Sequence, residues 1–355
     1  MIWLTWRQTR AQAAMMAAAL AVLAAILGLT GPGLADDYAT GIAACTTQSG
    51  GCSNFVNGFF QDHQDPFLAV TAVALVLPAL IGLFWGAPLI ARELEAGTHR
   101  LVWNQSTTRT RWLAVKLGLV GLAAVTAAGL GSLAVDWWSS PIDKTAIDFP
   151  RMAPLLFDAR GIVPIGFAAI AFALGVTVGM LVRRTLPAMA ITLAVFVVVQ
   201  IAMPLLVRPH LIAPVRSTIE ITESSLDGIM APRGGGGPIR LVVRAPDTGA
   251  YTGAWVLSSQ AVDPSGHAVD SIPLSQSGAC APPQGGRAQQ SSSAAPGDGR
   301  LACFAEIERL GYRQQVTYQP SSRFWAFQWY ETGIYIALAL GLAGFCFWRL
   351  RHRLS

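Results

Sequence analysis

Between Phe67 and Ala91 the chain reads FLAVTAVALVLPALIGLFWGAPLIA, without a single Asp, Glu, Lys, Arg or His. An α-helix rises about 1.5 Å per residue, so roughly 20 apolar residues cross the hydrocarbon core of a bilayer. A helix apolar on every side has no face to offer water, whereas lipid solvates it throughout. Just before the stretch stand Asp62 and Asp65, and just after it Arg92, Glu93 and Glu95. Charge stops and resumes where the hydrocarbon would begin and end.

Five further stretches read the same way: Ala13–Thr30, Leu113–Val135, Ile162–Val182, Leu186–Val207 and Gly333–Trp348. The whole chain agrees, with 53% hydrophobic and 13% charged residues over 355 positions and a mean hydropathy of +0.46. A soluble protein carries about 25% charged residues. The fold class is therefore an all-α polytopic membrane protein with six transmembrane helices. Lys116 lies one turn inside the third span, where its stem can snorkel to the interface.

Short loops set the expected orientation. Arg7 and Arg10 precede the first span, and Arg92, Arg100, Arg109, Arg111 and Lys116 lie around the turn between the second and third. Arg183 and Arg184 separate the fourth and fifth, and Arg349, Arg351 and Arg353 follow the sixth. The segment Gly31–Pro66 has Asp36, Asp37, Asp62 and Asp65 but no Lys or Arg. The excess of Lys and Arg in cytoplasmic loops places both termini in the cytoplasm. The resulting division is an amphipathic interfacial helix over 1–12, spans one to five over 13–207 with a cytoplasmic loop at 92–112, an extracytoplasmic segment over 208–331, a sixth span over 332–348 and a tail over 349–355. A plain helical extension of span one serves residues 1–12 equally well. A cleaved signal peptide, with cleavage near Gly33-Leu34-Ala35, fits less well, because its apolar core is normally only about 7–15 residues long.

Outside, Cys45 and Cys52 share one loop, and Cys280 and Cys303 share the large segment. Two even pairs in an oxidising compartment suggest two disulfides, each within its own loop, with cross-pairing between the loops or free thiols as the alternatives. In the large segment, Arg240–Arg244 and Tyr251–Leu257 read as short strands. Ser275–Gly299 reads as a linker and Gly234–Gly237 as a loop. Phe324, Trp325, Phe327, Trp329 and Tyr330 are expected to form an aromatic belt at the outer interface.

Several chemistries are excluded. Neither lysine, Lys116 nor Lys144, follows a glycine as a phosphate-cradling loop requires, and no His-Glu-x-x-His pair or Gly-x-Ser-x-Gly elbow occurs. The cysteine and histidine spacings match no metal site. No dense basic run with interleaved aromatics points to nucleic acid. The chain is expected to be no enzyme, with no catalytic residue, metal or cofactor of its own.

The informative turn runs Arg92-Glu93-Leu94-Glu95-Ala96-Gly97-Thr98-His99-Arg100-Leu101-Val102-Trp103-Asn104-Gln105-Ser106. Gly97 can end the second helix in a left-handed cap and Thr98 can start a short new helix. Ser106, Thr107 or Thr108 can cap the third. The stretch resembles the type-two ABC exporter permeases, whose corresponding loop reads acidic-x-acidic-x-Gly-Thr, then leucine, a Ser/Thr-rich turn and arginine. Glu93, Glu95, Gly97, Thr98, Leu101, Ser106 and Arg109 match in order and spacing, while His99, Trp103 and Asn104 depart from the pattern. The resemblance implies a permease subunit driven by a separate ABC ATPase subunit, with ATP and Mg held by that partner. It assigns the ATPase contact to Glu93, Glu95, Gly97, Thr98, Arg100 and Leu101. It further implies a second permease copy, identical or similar, a bacterial cell membrane, and outward movement of an amphipathic or lipid-like substrate.

Elsewhere, Gly175 and Gly179 have the small-xxx-small spacing that lets two helices approach closely, within the subunit or between two copies. Pro78, Pro88, Pro187 and Pro204 can kink spans two and five. Gln200 can line a path or hydrogen-bond to another helix. The competing reading is a membrane scaffold or sensor whose outer segment binds a ligand.

Overall fold

The computed structural model describes residues 2–47, 52–97, 108–146, 149–222, 225–230, 239–246, 248–274 and 298–352. Six helical stretches are long and apolar enough to cross a membrane, and each contains or nearly contains one of the apolar segments above. The first is α1, Ile2–Thr46. The second joins α2, Ser53–Ile81, through a wide π turn at Gly82–Gly86 to α3, Ala87–Glu95. The third is α4, Arg109–Asp143. A short helix α5, Pro154–Asp158, leads to α6, Val163–Val182. Helix α7, Thr185–Ala202, continues through a second π turn at Met203–Val207 into α8, Arg208–Leu211. The last long helix is α10, Phe324–His352.

Residues 2–12 run straight into the first span, so no break sets them apart. The supposed loop Gly31–Pro66 is mostly helix as well. Helices α1 and α2 both run on past their apolar stretches, with Pro32 and Pro66 inside them. Mutual packing carries them on. Tyr38 of α1 meets Phe55 and Phe59 of α2 at ring-centroid distances of 6.5 and 5.6 Å, and the Cys45–Cys52 disulfide ties the tip.

Helix α6 is the hub. It is mostly buried and packs on the α2–α3 rod, α4, α7 and α10. The closest approach is to the rod and depends on missing side chains. A Cβ on Gly175 would lie 2.5 Å from the Gly82 carbonyl oxygen, and one on Gly179 would lie 2.5 Å from that of Ala87. Gly82 and Gly86 reciprocate against Ala171 and Phe172. The Gly175/Gly179 spacing thus serves packing within the chain.

The prolines are accommodated locally. Pro88 cannot donate to the Phe84 carbonyl one turn back. The Gln12 side-chain amide of α1 donates to that oxygen instead, at 3.1 Å. Gln200 makes an interhelical bond, donating from Nε2 to the Leu75 carbonyl at 3.3 Å.

Residues Ile212–Arg323 form a separate compact unit, and α10 begins directly after it at Phe324. Strands β1, Val215–Ile219, β4, Trp255–Val262, β5, Ala268–Val269, and β7, Arg313–Gln319, make an antiparallel sheet ordered β1-β7-β4-β5. Strands β2, Leu226–Met230, β3, Ile239–Val243, and β6, Ile272–Leu274, make a second, ordered β2-β3-β6. Helix α9, Asp298–Arg309, contributes Ile307 to a core with Leu241, Ala261 and Ile272. Cys303 is disulfide-bonded. Cys280, residues 234–237 and most of 275–299 lie outside the described residues.

Candidate functional site

Two polar constructions interrupt the apolar unit, one at each end of the helices. The first surrounds the turn between α3 and α4. Gly97 has φ +67°, the left-handed conformation expected of a helix stop, and its amide donates to the Leu94 carbonyl at 3.4 Å. On the far side Thr108 caps α4, its hydroxyl accepting from the Arg111 amide at 3.4 Å. Thr98, Arg100 and Leu101 fall within 98–107, outside the described residues.

Glu93 and Glu95 face different neighbours. Glu93 is ion-paired with Lys116 of α4, whose ammonium also stands 4.9 Å from the centre of the Trp112 ring. Lys116 is 3% exposed, so it does not snorkel. An opposite charge lies within reach, and pairing replaces the water that snorkelling would have sought. Glu95 remains exposed while its Oε2 accepts from both the amide and the hydroxyl of Thr185, at 2.9 and 2.8 Å. Thr185 opens α7, so this carboxylate satisfies one free amide at the positive end of a helix dipole. The last turn of α3 is therefore tied to both α4 and α7. Arg183 beside it is the one described non-glycine residue with positive φ, and its amide closes α6 onto the Gly179 carbonyl at 3.0 Å.

The second construction, at the opposite end, was not foreseen. Arg160, fully buried between α5 and α6, donates to the Thr71 hydroxyl at 3.4 Å, faces Asp143 at 3.7 Å and lies over the Phe67 ring. Gly161, with φ +65°, gives its amide to Asp136 at 2.9 Å and takes a bond from Ser132 at 2.6 Å. The Gln328 side-chain oxygen accepts from the amides of Ile162 and Val163, both at 2.9 Å, and thereby caps α6. Arg208 is bonded to Asp158 and to Glu331, the latter through both guanidinium Nε and Nη2, and stacks 4.2 Å from the centre of the Phe157 ring. Burial pushes the Asp158 carboxyl up to about 7, Arg208 opposing and Glu331 adding to the rise. Each charge sits at or just past the end of an apolar stretch, where a sequence gives no sign of whether it meets water or a partner.

The expected aromatic belt is only partly present. Trp325, Trp329 and Tyr330 are exposed, but Phe324 and Phe327 are buried, with Phe324 5.4 Å from Phe157. A helix turns its rings in several directions, and only three point outward. No group of His, Cys, Asp and Glu suited to a metal occurs among the described residues.

Six spans around a buried hub, a tied turn at one end and internal ion pairs at the other define a multi-pass α-helical membrane protein. The chain belongs to the ABC-2 membrane transporter related family, which it matches over residues 17–208, more than half of its length. No curated protein and no solved structure matches it. It is an ABC-2 type permease, a membrane transport subunit that is not itself catalytic. Membership implies an ABC ATPase partner and a dimeric arrangement.

Proposed function

We propose that the chain is the membrane half of an exporter, and that a separate ATPase drives it through the loop 92–112. The observation that carries this reading is the anchoring of the loop's first strut. A push on residues 98–107 reaches α3, and from α3 it passes to α4 through Glu93–Lys116 and to α7 through Glu95–Thr185. The Gly97 stop and the Thr108 cap leave little slack at either end. Thr98, Arg100 and Leu101 supply the outward contact, whereas Glu93 and Glu95 serve chiefly to hold the strut.

ATP and Mg act in the partner. Closure of two ATPase subunits on two permease copies swings the loops and shifts the helices from inward-facing to outward-facing. An amphipathic or lipid-like substrate then moves outward. Both termini and the loop lie in the cytoplasm, and the unit Ile212–Arg323 lies outside.

The test is substrate-stimulated ATP hydrolysis by the complex reconstituted in lipid. Gly97→Pro, or Glu95→Arg, should abolish the stimulation without loss of membrane insertion. Full stimulation in both variants refutes the loop as the point of drive. Purification of the chain with a regulator or kinase, in place of an ATPase, would favour the sensor reading.

A further inference from the structure

Arg208 stands between two carboxylates, those of Asp158 and Glu331, in a setting where all three side chains are at least nine-tenths buried. One guanidinium balances one carboxylate; the second leaves a surplus negative charge. Isolated charge in an apolar medium costs many kcal/mol, so such groups neutralise unless they are paired. No other cation faces the pair among the described residues. Arg160 lies two positions from Asp158 but is directed to Asp143 and Thr71. His210, on the same element as Arg208, is exposed and bonded to the Leu206 carbonyl.

A second observation points to the same place. Tyr335 is one turn beyond Glu331 on the buried face of α10 that also carries Gln328 and Thr332. It is 1% exposed, and its hydroxyl has no hydrogen-bond partner among the described residues. Leaving a buried phenol unbonded costs its desolvation, and its O–H is able to donate to a neighbouring oxygen.

We propose that Asp158, Arg208 and Glu331, with Tyr335 beside them, form a proton-binding site that holds one exchangeable proton on the carboxylate pair. The proton comes from water and is returned to it, and no bond other than O–H is made or broken. It belongs to the pair, not to one residue, because the two carboxylates interact strongly. Helices α5, α8 and α10 converge on the site, so any movement that separates them hydrates it and releases the proton. This site is independent of the ATPase and of the reading of the loop 92–112, and it can be tested on the permease alone.

The sign of the effect is fixed. A carboxyl whose folded value is raised holds in the fold a proton that the unfolded chain has lost. The stability it confers is complete below the ordinary carboxylate range, falls as pH rises through about 7 and is level above that.

The experiment is an infrared titration of the full-length permease in lipid nanodiscs from about pH 5 to about pH 9, a range that brackets the site. The expected result is a protonated-carboxyl band that is lost in one step near pH 7, accompanied by a falling thermal midpoint. Asp158→Asn should remove that band. Glu331→Gln should remove it as well although Asp158 is retained, because the surplus charge is gone; a merely structural role for Glu331 would leave the band in place. Absence of any such band in the unaltered protein overturns the proposal without recourse to variants. A band that survives in both variants belongs to another carboxyl and overturns it equally.

Discussion

Lys116 and Glu93 illustrate how much one buried pair constrains. Both charges are largely buried, and removing one takes away the other's ion pair. Lys116→Met should therefore cost about 3–5 kcal/mol, the usual result of breaking a buried pair from one side. Adding Glu93→Gln should recover most of the loss. Thermal unfolding in detergent measures both, and a single variant as stable as the parent would show that the pair contributes nothing. The residues themselves were legible, since Glu93 was singled out from its motif and Lys116 as the lone charge inside a span. Their meeting was not, because 23 positions separate them. Nor did the chain order suggest that Glu95 would cap α7, 90 positions away.

At the scale of elements, the glycines make a sharp contrast. Gly179→Val should destabilise by roughly 1–3 kcal/mol or more, since the new side chain meets the Ala87 backbone and rod and hub must move apart. Gly118→Val in α4 should be tolerated, because nothing lies within 4 Å of its Cβ position. Comparing the two by unfolding in detergent separates a packing effect from a general intolerance of valine. The helical extensions of α1 and α2 allow a second test. The Cys45–Cys52 link closes a loop of 7 residues' separation, and loop-closure entropy assigns such a link about 2.5 kcal/mol. Cys45→Ser should lower the unfolding midpoint accordingly, read against the same protein under reducing conditions, where the two curves should coincide. The spans themselves were plain in the sequence, for apolar runs report directly on lipid. Their helical continuations were not, because those are held by Tyr38, Phe55 and Phe59 meeting across two helices.

For the molecule as a whole, the distribution of arginine predicts which side is which. A cysteine placed at Arg184 should resist a membrane-impermeant maleimide in intact cells, and one placed at Asp263 should react. Labelling at Arg184 would invert the proposed topology and remove the loop 92–112 from reach of any cytoplasmic ATPase. The family match and the six spans stand apart from that outcome, since neither depends on orientation.

By itself the sequence determined the number of spans, their approximate limits and the motif of the turn at 92–112. Insertion into lipid is close to additive along the chain, and capping is decided within a few neighbours. Only the tertiary structure decided that Gly175 and Gly179 serve internal packing, that Lys116 is paired and buried, and that Arg160 and Arg208 sit among Asp136, Asp143, Asp158 and Glu331. Those facts depend on which faces of distant helices meet. A charge at the end of an apolar run reads the same whether water or another helix lies beyond it.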